Sequence, residues 1–251
     1  SCSILGLSAA IRQDPVKAFT IGFDNTDYDE TSIAREMAGA TQAEQLILPV
    51  TAGDLYENFS RTMWHTERTI YNTLAVAKLL MSQTVHENGY KVVLTGEGSD
   101  ELFAGYPAFR KDMFLYGMED LPATLRSEWQ ASLEASNKLF RGAMLPREEF
   151  DSTAMDSKVG FTPSCLQNWL HCHESAINLL TPEWQSELSD YDAGAAIADT
   201  LDNHQLEGRH PLDKAQYVWI KTMLEGQILT WGGDRVDMAN SMEARPAFLD
   251  H

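Results

Sequence analysis

An α/β fold, with a small parallel sheet leading into a large helical layer, is predicted by the order of segments in this 251-residue sequence. Strand-like and helix-like segments alternate between residues 4 and 94, the pattern that gives parallel pairing and a doubly wound sheet. The three strand candidates are short and apolar, and from residue 107 onward the pattern is wholly helical.

Residues 4–13 read as the first helix, stopped near Pro15, whose ring cannot continue a helix. Ala18 to Phe23 is a β-rich run, closed by Gly22 and the acidic turn Asp24-Asn25-Thr26-Asp27-Tyr28-Asp29. Thr31 to Gly39 is a helix with Ile33 and Met37 four apart on one face. Glu44 to Val50 is the second strand. A long helix over about 54–88 carries Leu74, Ala77, Leu80 and Met81 at helical spacing, and Lys91 to Leu94 is the third strand. Three strands make a small sheet, and at least one strand is expected to be missing from it. The chain does not begin with Met, opens directly on the apolar run Ile4 to Ile11, and stops at Phe248-Leu249-Asp250-His251, so both ends read as cut.

Amphipathic helices are expected at 107–117, 122–141, 164–180, 193–204 and 211–242, with 141–163 and 181–192 as loops or poorly specified helix. In the last of these helices Trp219, Met223, Leu224, Ile228 and Trp231 share an apolar face, and Gly232-Gly233 should break or kink it. The whole reads as one domain over 1–251, an α/β part at 1–106 and a mainly helical part at 107–251.

Composition narrows the function. Hydrophobic residues are 43% and charged residues 22%, a globular balance. With 19 Lys+Arg against 37 Asp+Glu the net charge is -18, which argues against non-specific nucleic-acid or anionic-membrane partners, both polyanions. No apolar run reaches membrane-spanning length, and no secretory signal opens the chain. Three cysteines, Cys2, Cys165 and Cys172, are too few for a disulfide framework and suit a cytoplasmic setting. Cys165 with His171-Cys172-His173 matches no paired zinc spacing. Trp64 is expected to pack, with His65 and Glu67 solvated beside it; His204, His210 and His251 have no catalytic pattern.

Chemistry concentrates in Val92-Val93-Leu94-Thr95-Gly96-Glu97-Gly98-Ser99-Asp100-Glu101-Leu102-Phe103-Ala104-Gly105-Tyr106, a strand, a two-glycine turn and a helix. In a parallel sheet this places Thr95 to Asp100 at the carboxyl end of a strand, where open α/β sheets bind ligands. Gly96 and Gly98 let backbone N–H groups approach a phosphate or adenine. Ser99, Asp100 and Glu101 suit a helix N-terminus, a contribution of about 0.3–1 kcal/mol for each acid. Capping does not explain Glu97, which lies within the glycine turn. Asp100 is the candidate Mg²⁺ ligand. Arg235 and Arg245 have two readings, an anion-binding fork or a structural ion pair with a neighbour such as Asp234 or Glu243.

This segment resembles the strand-turn-helix signature of the ATP-dependent synthetase domain of the asparagine synthetase family. Two further stretches agree in order: Phe19-Thr20-Ile21-Gly22-Phe23-Asp24 with Tyr28-Asp29-Glu30 and Ala34, and Gly233-Asp234-Arg235 through to Phe248-Leu249-Asp250-His251. Residues 107–210 carry little of the resemblance. Arg245-Pro246-Ala247-Phe248 departs from the family's Arg-x-Pro-Phe-Leu-Asp, with Pro246 one position early, and Thr95 stands where Ser is common.

The resemblance implies a sheet of the adenine-nucleotide α-hydrolase-like (PP-loop ATPase) type with its first strand missing. It implies a ligase that adenylates a carboxylate with ATP and Mg²⁺, most simply aspartate, and releases AMP and pyrophosphate as ammonia forms the amide. Ile21, Thr95 and Gly96 then resemble nucleotide contacts, Glu97 the acid that serves adenylate formation and admits ammonia, and Asp100 a Mg²⁺ ligand. A glutaminase domain of the same parent chain would supply ammonia from glutamine, and a homodimer is the assembly in view. A relative amidating or cyclising another carboxylate is the alternative, and an inactive binding module a second. The family's pyrophosphate loop, Ser-Gly-Gly-x-Asp-Ser, would precede or end at Ser1, and its adenylate-holding lysine would follow His251. These 251 residues alone are therefore expected to give no ATP–pyrophosphate exchange with aspartate; robust exchange by them would refute that.

Overall fold

The computed structural model describes residues 1–24, 29–118, 122–136 and 150–250, and divides them into two compact units. The first comprises Ser1–Gly98 and Leu224–His251, the second Ser99–Met223.

The first unit runs α1 (Cys2–Ile11), β1 (Lys17–Phe23), α2 (Thr31–Thr41), β2 (Glu44–Val50), α3 (Ala52–Glu57), α4 (Phe59–Thr66), α5 (Leu74–Glu87) and β3 (Val92–Thr95). β1 and β2 pair in parallel from Lys17 opposite Glu44 to Phe23 opposite Val50, and a Lys17–Glu44 ion pair of 3.0 Å marks the register at its start. The α/β class and parallel pairing agree with expectation, but the three predicted strands do not share one sheet. β3 pairs instead, also in parallel, with an unpredicted strand β4 (Glu243–Pro246) that returns from the end of the chain. Glu243-Ala244-Arg245-Pro246 contains no β-branched or aromatic residue, so local preference hides it. Pairing with β3 makes it a strand, starting with the Glu243 N–H donated to the Lys91 carbonyl at 2.7 Å. Among the described residues no strand joins β1 to β3.

The predicted helix over 54–88 is three helices. Asn58 ends α3 and opens α4, its side chain donating to the Asp54 carbonyl at 2.9 Å. Glu67 then turns left-handed at φ 54°, and the Thr66 hydroxyl bridges the Met63 and Arg68 carbonyls. Ile70 is buried in the link, so burial outcompetes helix continuity there. The inward face of α4 is Thr62 and Thr66, whereas Trp64, expected to pack, is 81% exposed.

In the second unit come α6 (Ser99–Leu102), α7 (Pro107–Tyr116), α8 (Ala123–Ser136), α9 (Thr153–Val159), a 3₁₀ turn (Ser164–Leu166), α10 (Gln167–Ile177), α11 (Pro182–Glu187), α12 (Ala193–Asp199), α13 (Asn203–Leu206) and α14 (Pro211–Trp219). The stretches expected as loops or poorly specified helix hold α9, capped by Ser152 and ended by Gly160 at φ 101°, and α11, with Pro182 in its first turn. Residues 25–28 of the acidic turn, 137–149 and His251 lie outside the described residues. The predicted 193–204 helix divides because the Asp202 carboxylate accepts the His204 N–H at 2.9 Å and starts a new one. Buried Asp112 accepts the Ser164 N–H with both carboxylate oxygens, at 3.0 and 3.1 Å. Buried Glu101 accepts from the Tyr106 hydroxyl at 2.9 Å and the Trp219 indole at 3.3 Å. Cys165 is buried, Cys172 exposed, His171 lies against Phe150 and His173 against Tyr191. No described helix is long and apolar enough to cross a membrane.

The predicted 211–242 helix continues past Trp219 as a π-helix over Ile220–Asp234, then becomes α15 (Arg235–Met238). Gly232-Gly233 does not break it. A Cβ on Gly233 would stand 2.5 Å from the Ile228 carbonyl oxygen, so the missing side chain is what lets the wider turn close. The end of this helix returns to the first unit, where Trp231 and Val236 join Ile70, Ala75, Val76 and Leu79 in its core. Truncating Leu79 to Ala should cost about 2–5 kcal/mol, measured by denaturant unfolding followed by the Trp fluorescence of the intact protein.

Candidate active site

Burial on one helix face and hydrogen bonds on its flank fix where α5 and α15 meet. The Asn240 amide donates to the Leu79 carbonyl at 3.0 Å and to the Ser82 hydroxyl at 2.7 Å. Ser82 in turn donates to the Val236 carbonyl at 3.2 Å. The lock sets Asp237, the residue after Val236, opposite Lys78, one turn before Ser82. β3 then delivers Thr95 and Glu97 from the other side.

The result is a cleft of about 210 Å³ lined by Lys78, Thr95, Glu97, Asp234, Asp237 and Pro246 among others, at the carboxyl end of β3. The Lys78 ammonium lies 2.9 Å from Glu97 Oε1 and 3.7 Å from Asp237 Oδ2. Side-chain exposure is 17% for Lys78, 26% for Glu97 and 1% for Asp237. Glu97 Oε2, Thr95 Oγ1 and both Asp237 oxygens are buried without a hydrogen bond. Burial pushes the Glu97 carboxyl up more than any other single influence, but the Lys78 charge and the polar groups around the carboxylate together outweigh it and hold the group below its ordinary value, so Glu97 is ionised. Burial likewise opposes charge on Lys78, and the two acids overcome it and raise its pKa. Asp237 goes the other way: burial, incompletely offset by Lys78 and reinforced by Glu97, raises it from 3.8 to about 7.

The turn after β3 is tightly built. Gly98 sits at φ +91° with its Cα against Leu249, and a Cβ on Gly96 would meet the Ser1 hydroxyl at 2.5 Å. The start of α1 therefore adjoins the turn that carries Glu97. Ile21 is half-buried on β1, opposite Leu48, and does not line the cleft. Asp100 is exposed on α6 in the second unit, folded over Gly105. Among the described residues no three His, Cys, Asp or Glu side chains converge as a metal cage. One exposed hard oxygen donor is nonetheless what a Mg²⁺ carried by phosphates requires, since that ion takes one or two carboxylates and fills its sphere with phosphate and water. Arg235 is structural: it donates to the Thr66 carbonyl at the end of α4 and lies 4.0 Å from Glu67. Arg245 pairs with Glu243 at 2.7 Å, in the open.

Sequence reasoning found Thr95, Gly96 and Glu97 but passed over Lys78 and Asp237. Lys78 had a signal, a lone charge inside the apolar run Leu74-Ala75-Val76-Ala77-Lys78-Leu79-Leu80-Met81. Asp237 had none beyond its place in the late motif.

A charged cleft beyond the carboxyl end of a parallel strand is the ligand site of α/β enzymes. Comparison with known proteins gives the class its family: the asparagine synthase family model matches residues 1–251, and the chain belongs to that family. It is 30% identical to Amidase chry2 of Gibberella zeae over 98% of this chain and 37% of that protein. It is also 30% identical to Amidase chyE of Penicillium rubens, over 94% of this chain and 36% of that protein. Asparagine synthetase [glutamine-hydrolyzing] 1 of Bacillus subtilis is 26% identical over 94% of this chain and 35% of that protein. The chain spans little more than a third of the length of these relatives.

The raised Asp237 fixes a pH signature of stability. The folded protein keeps this proton to about pH 7, whereas the unfolded chain releases it near 3.8. The contribution of Asp237 to folding is full below that lower value and is lost as pH rises through about 7. Asp237→Asn, which cannot ionise, should therefore melt above the wild type at pH 8, with the gain vanishing near pH 4 in a thermal-melting series.

Proposed function

We propose that the chain is the synthetase part of an enzyme that adenylates a carboxylate with ATP and then forms an amide from the adenylate. The observation that carries this reading is Glu97: an ionised carboxylate in a buried cleft at the carboxyl end of β3, with Oε1 on Lys78 and Oε2 free. A structural ion pair alone would leave no reason for a free, ionised oxygen facing a cleft.

In the first half-reaction a carboxylate oxygen attacks the α-phosphorus and pyrophosphate leaves, so two anions must meet and charge neutralisation dominates the barrier. Mg²⁺, which neutralises phosphate charge when bound, would be held by Asp100. Gly96 and Thr95 would approach the nucleotide through the turn backbone and the free Thr95 hydroxyl, and Ile21 would touch adenine. In the second half-reaction nitrogen attacks the acyl carbon, AMP leaves, and Glu97 Oε2 takes a proton from the nitrogen.

The first candidate substrate is aspartate, with ammonia drawn from glutamine by a glutaminase domain of the parent protein. A different carboxylate is the second reading, favoured by the two relatives at 30% identity, which bear the name amidase, against 26% for the synthetase. A cytoplasmic, dimeric enzyme is the setting proposed for either.

In the intact protein, Glu97→Gln should lower amide formation by about 10²–10⁴-fold, measured by product release with saturating ATP, Mg²⁺ and ammonium. An unchanged rate would remove Glu97 from the mechanism. Supplying aspartate and then a panel of other carboxylates, with pyrophosphate release as readout, separates the two substrate readings.

A further inference from the structure

Asp237 is not used by the reaction as written above, yet it is the most deeply buried charge in the cleft. Its side chain is 1% exposed, both oxygens lack a hydrogen bond, and the Lys78 ammonium stays at 3.7 Å. A buried carboxylate serving structure alone would be expected to have its lone pairs filled by hydrogen-bond donors, because buried polar atoms left without partners are costly. The balance of charge is also incomplete. Once Asp237 gives up its proton, above about pH 7, two carboxylates face one lysine, leaving a deficit of one positive charge that a single small cation would fill.

We propose that Asp237 and Glu97 together form the nitrogen-donor subsite, which receives ammonium or a small protonated amine between the two carboxylates while Lys78 holds them in place. This rests on the amide-forming reading and adds a residue to it. The proton balance fits the pair. Ammonium carries four hydrogens and an amide nitrogen keeps two. Asp237 takes the first proton, freeing the lone pair. That pair attacks the acyl carbon, Glu97 takes the second proton as the C–N bond forms, and the electrons of the breaking C–O bond leave with AMP. A single carboxylate would account for only one of those protons.

The charged groups facing Asp237 are Lys78 on α5, Glu97 after β3 and Asp234 at the end of the π-helix. Arg235 is turned to α4, and Glu243 and Arg245 are paired with one another. With the cleft empty Asp237 holds a proton up to about pH 7, so a cation must displace that proton, and its binding strengthens as pH rises through this range.

Two measurements on the intact protein test the subsite. The first is the melting temperature in ammonium chloride against an equal concentration of tetramethylammonium chloride, a cation too large for a pocket built around one nitrogen. Ammonium should stabilise the wild type more than tetramethylammonium at pH 8, less so at pH 6, and neither salt should differ for Asp237→Asn. Equal effects of the two salts on the wild type would overturn the proposal. The second is steady-state kinetics with ammonium as nitrogen donor. Asp237→Asn should raise KM for ammonium by about tenfold or more, above any change in KM for ATP or the carboxylate, and Asp237→Glu should recover most of it. A rise shared equally by all three substrates, or none, would mean that Asp237 serves structure only. If the wild type shows the ammonium-specific stabilisation but forms no amide from any carboxylate, the subsite stands and the amide-forming reading fails.

Discussion

Everything in the first unit that bears on chemistry depends on one buried ammonium. Lys78 stands between Glu97 and Asp237, and without it two carboxylates would share a low-dielectric cleft with nothing to oppose their repulsion. The lysine treats the two acids unequally. Close contact at 2.9 Å keeps Glu97 ionised, while the longer 3.7 Å leaves Asp237 poised near neutrality. Two carboxylates sharing one lysine thus acquire different proton affinities from their burial and their distance to it, which is how paired acids come to take distinct roles.

The structural cost of that arrangement is met elsewhere in the unit. The interface of α5 with the π-helix and α15 is apolar at Leu79, Val236 and Trp231, and within it the Ser82 hydroxyl and the Asn240 amide NH₂ find hydrogen-bond partners. A packed, hydrogen-bonded interface on one flank holds an unsatisfied, charged one on the other. The π-helix contributes by the same logic. Its wider turn through Gly232-Gly233 carries Trp231 into the core and Asp234 to the cleft lining within one continuous segment.

Much of this was legible in the sequence. The strand at 44–50 and the helix beginning at Thr31 follow from apolar periodicity, and Thr95, Gly96 and Glu97 stand out because a glycine turn leaves an acid with no capping role. What stayed hidden was non-local. β4 is a strand only because β3 needs a partner, and the helix over 54–88 breaks because Ile70 is buried in the link. Lys78 signalled itself only as a lone charge inside an apolar run, and Asp237 only by its place in the late motif. Their pairing joins residues 159 positions apart, which no local window can report.

The cleft is stitched from two stretches of chain that emerge at very different times. During synthesis residues 74–97 leave the ribosome while residues 231–246 are not yet made, and the whole second unit is translated in between. Until then β3 has an open edge, α5 an uncovered apolar face, and Lys78 a single partner in Glu97. The segment from Trp231 to Pro246 therefore acts as a clasp: its docking covers the edge, buries the face and adds the second acid. A nascent chain interrupted before residue 231 has Lys78 and Glu97 but lacks Asp237 and β4, so the cleft is completed only when that later stretch docks, rather than piecemeal.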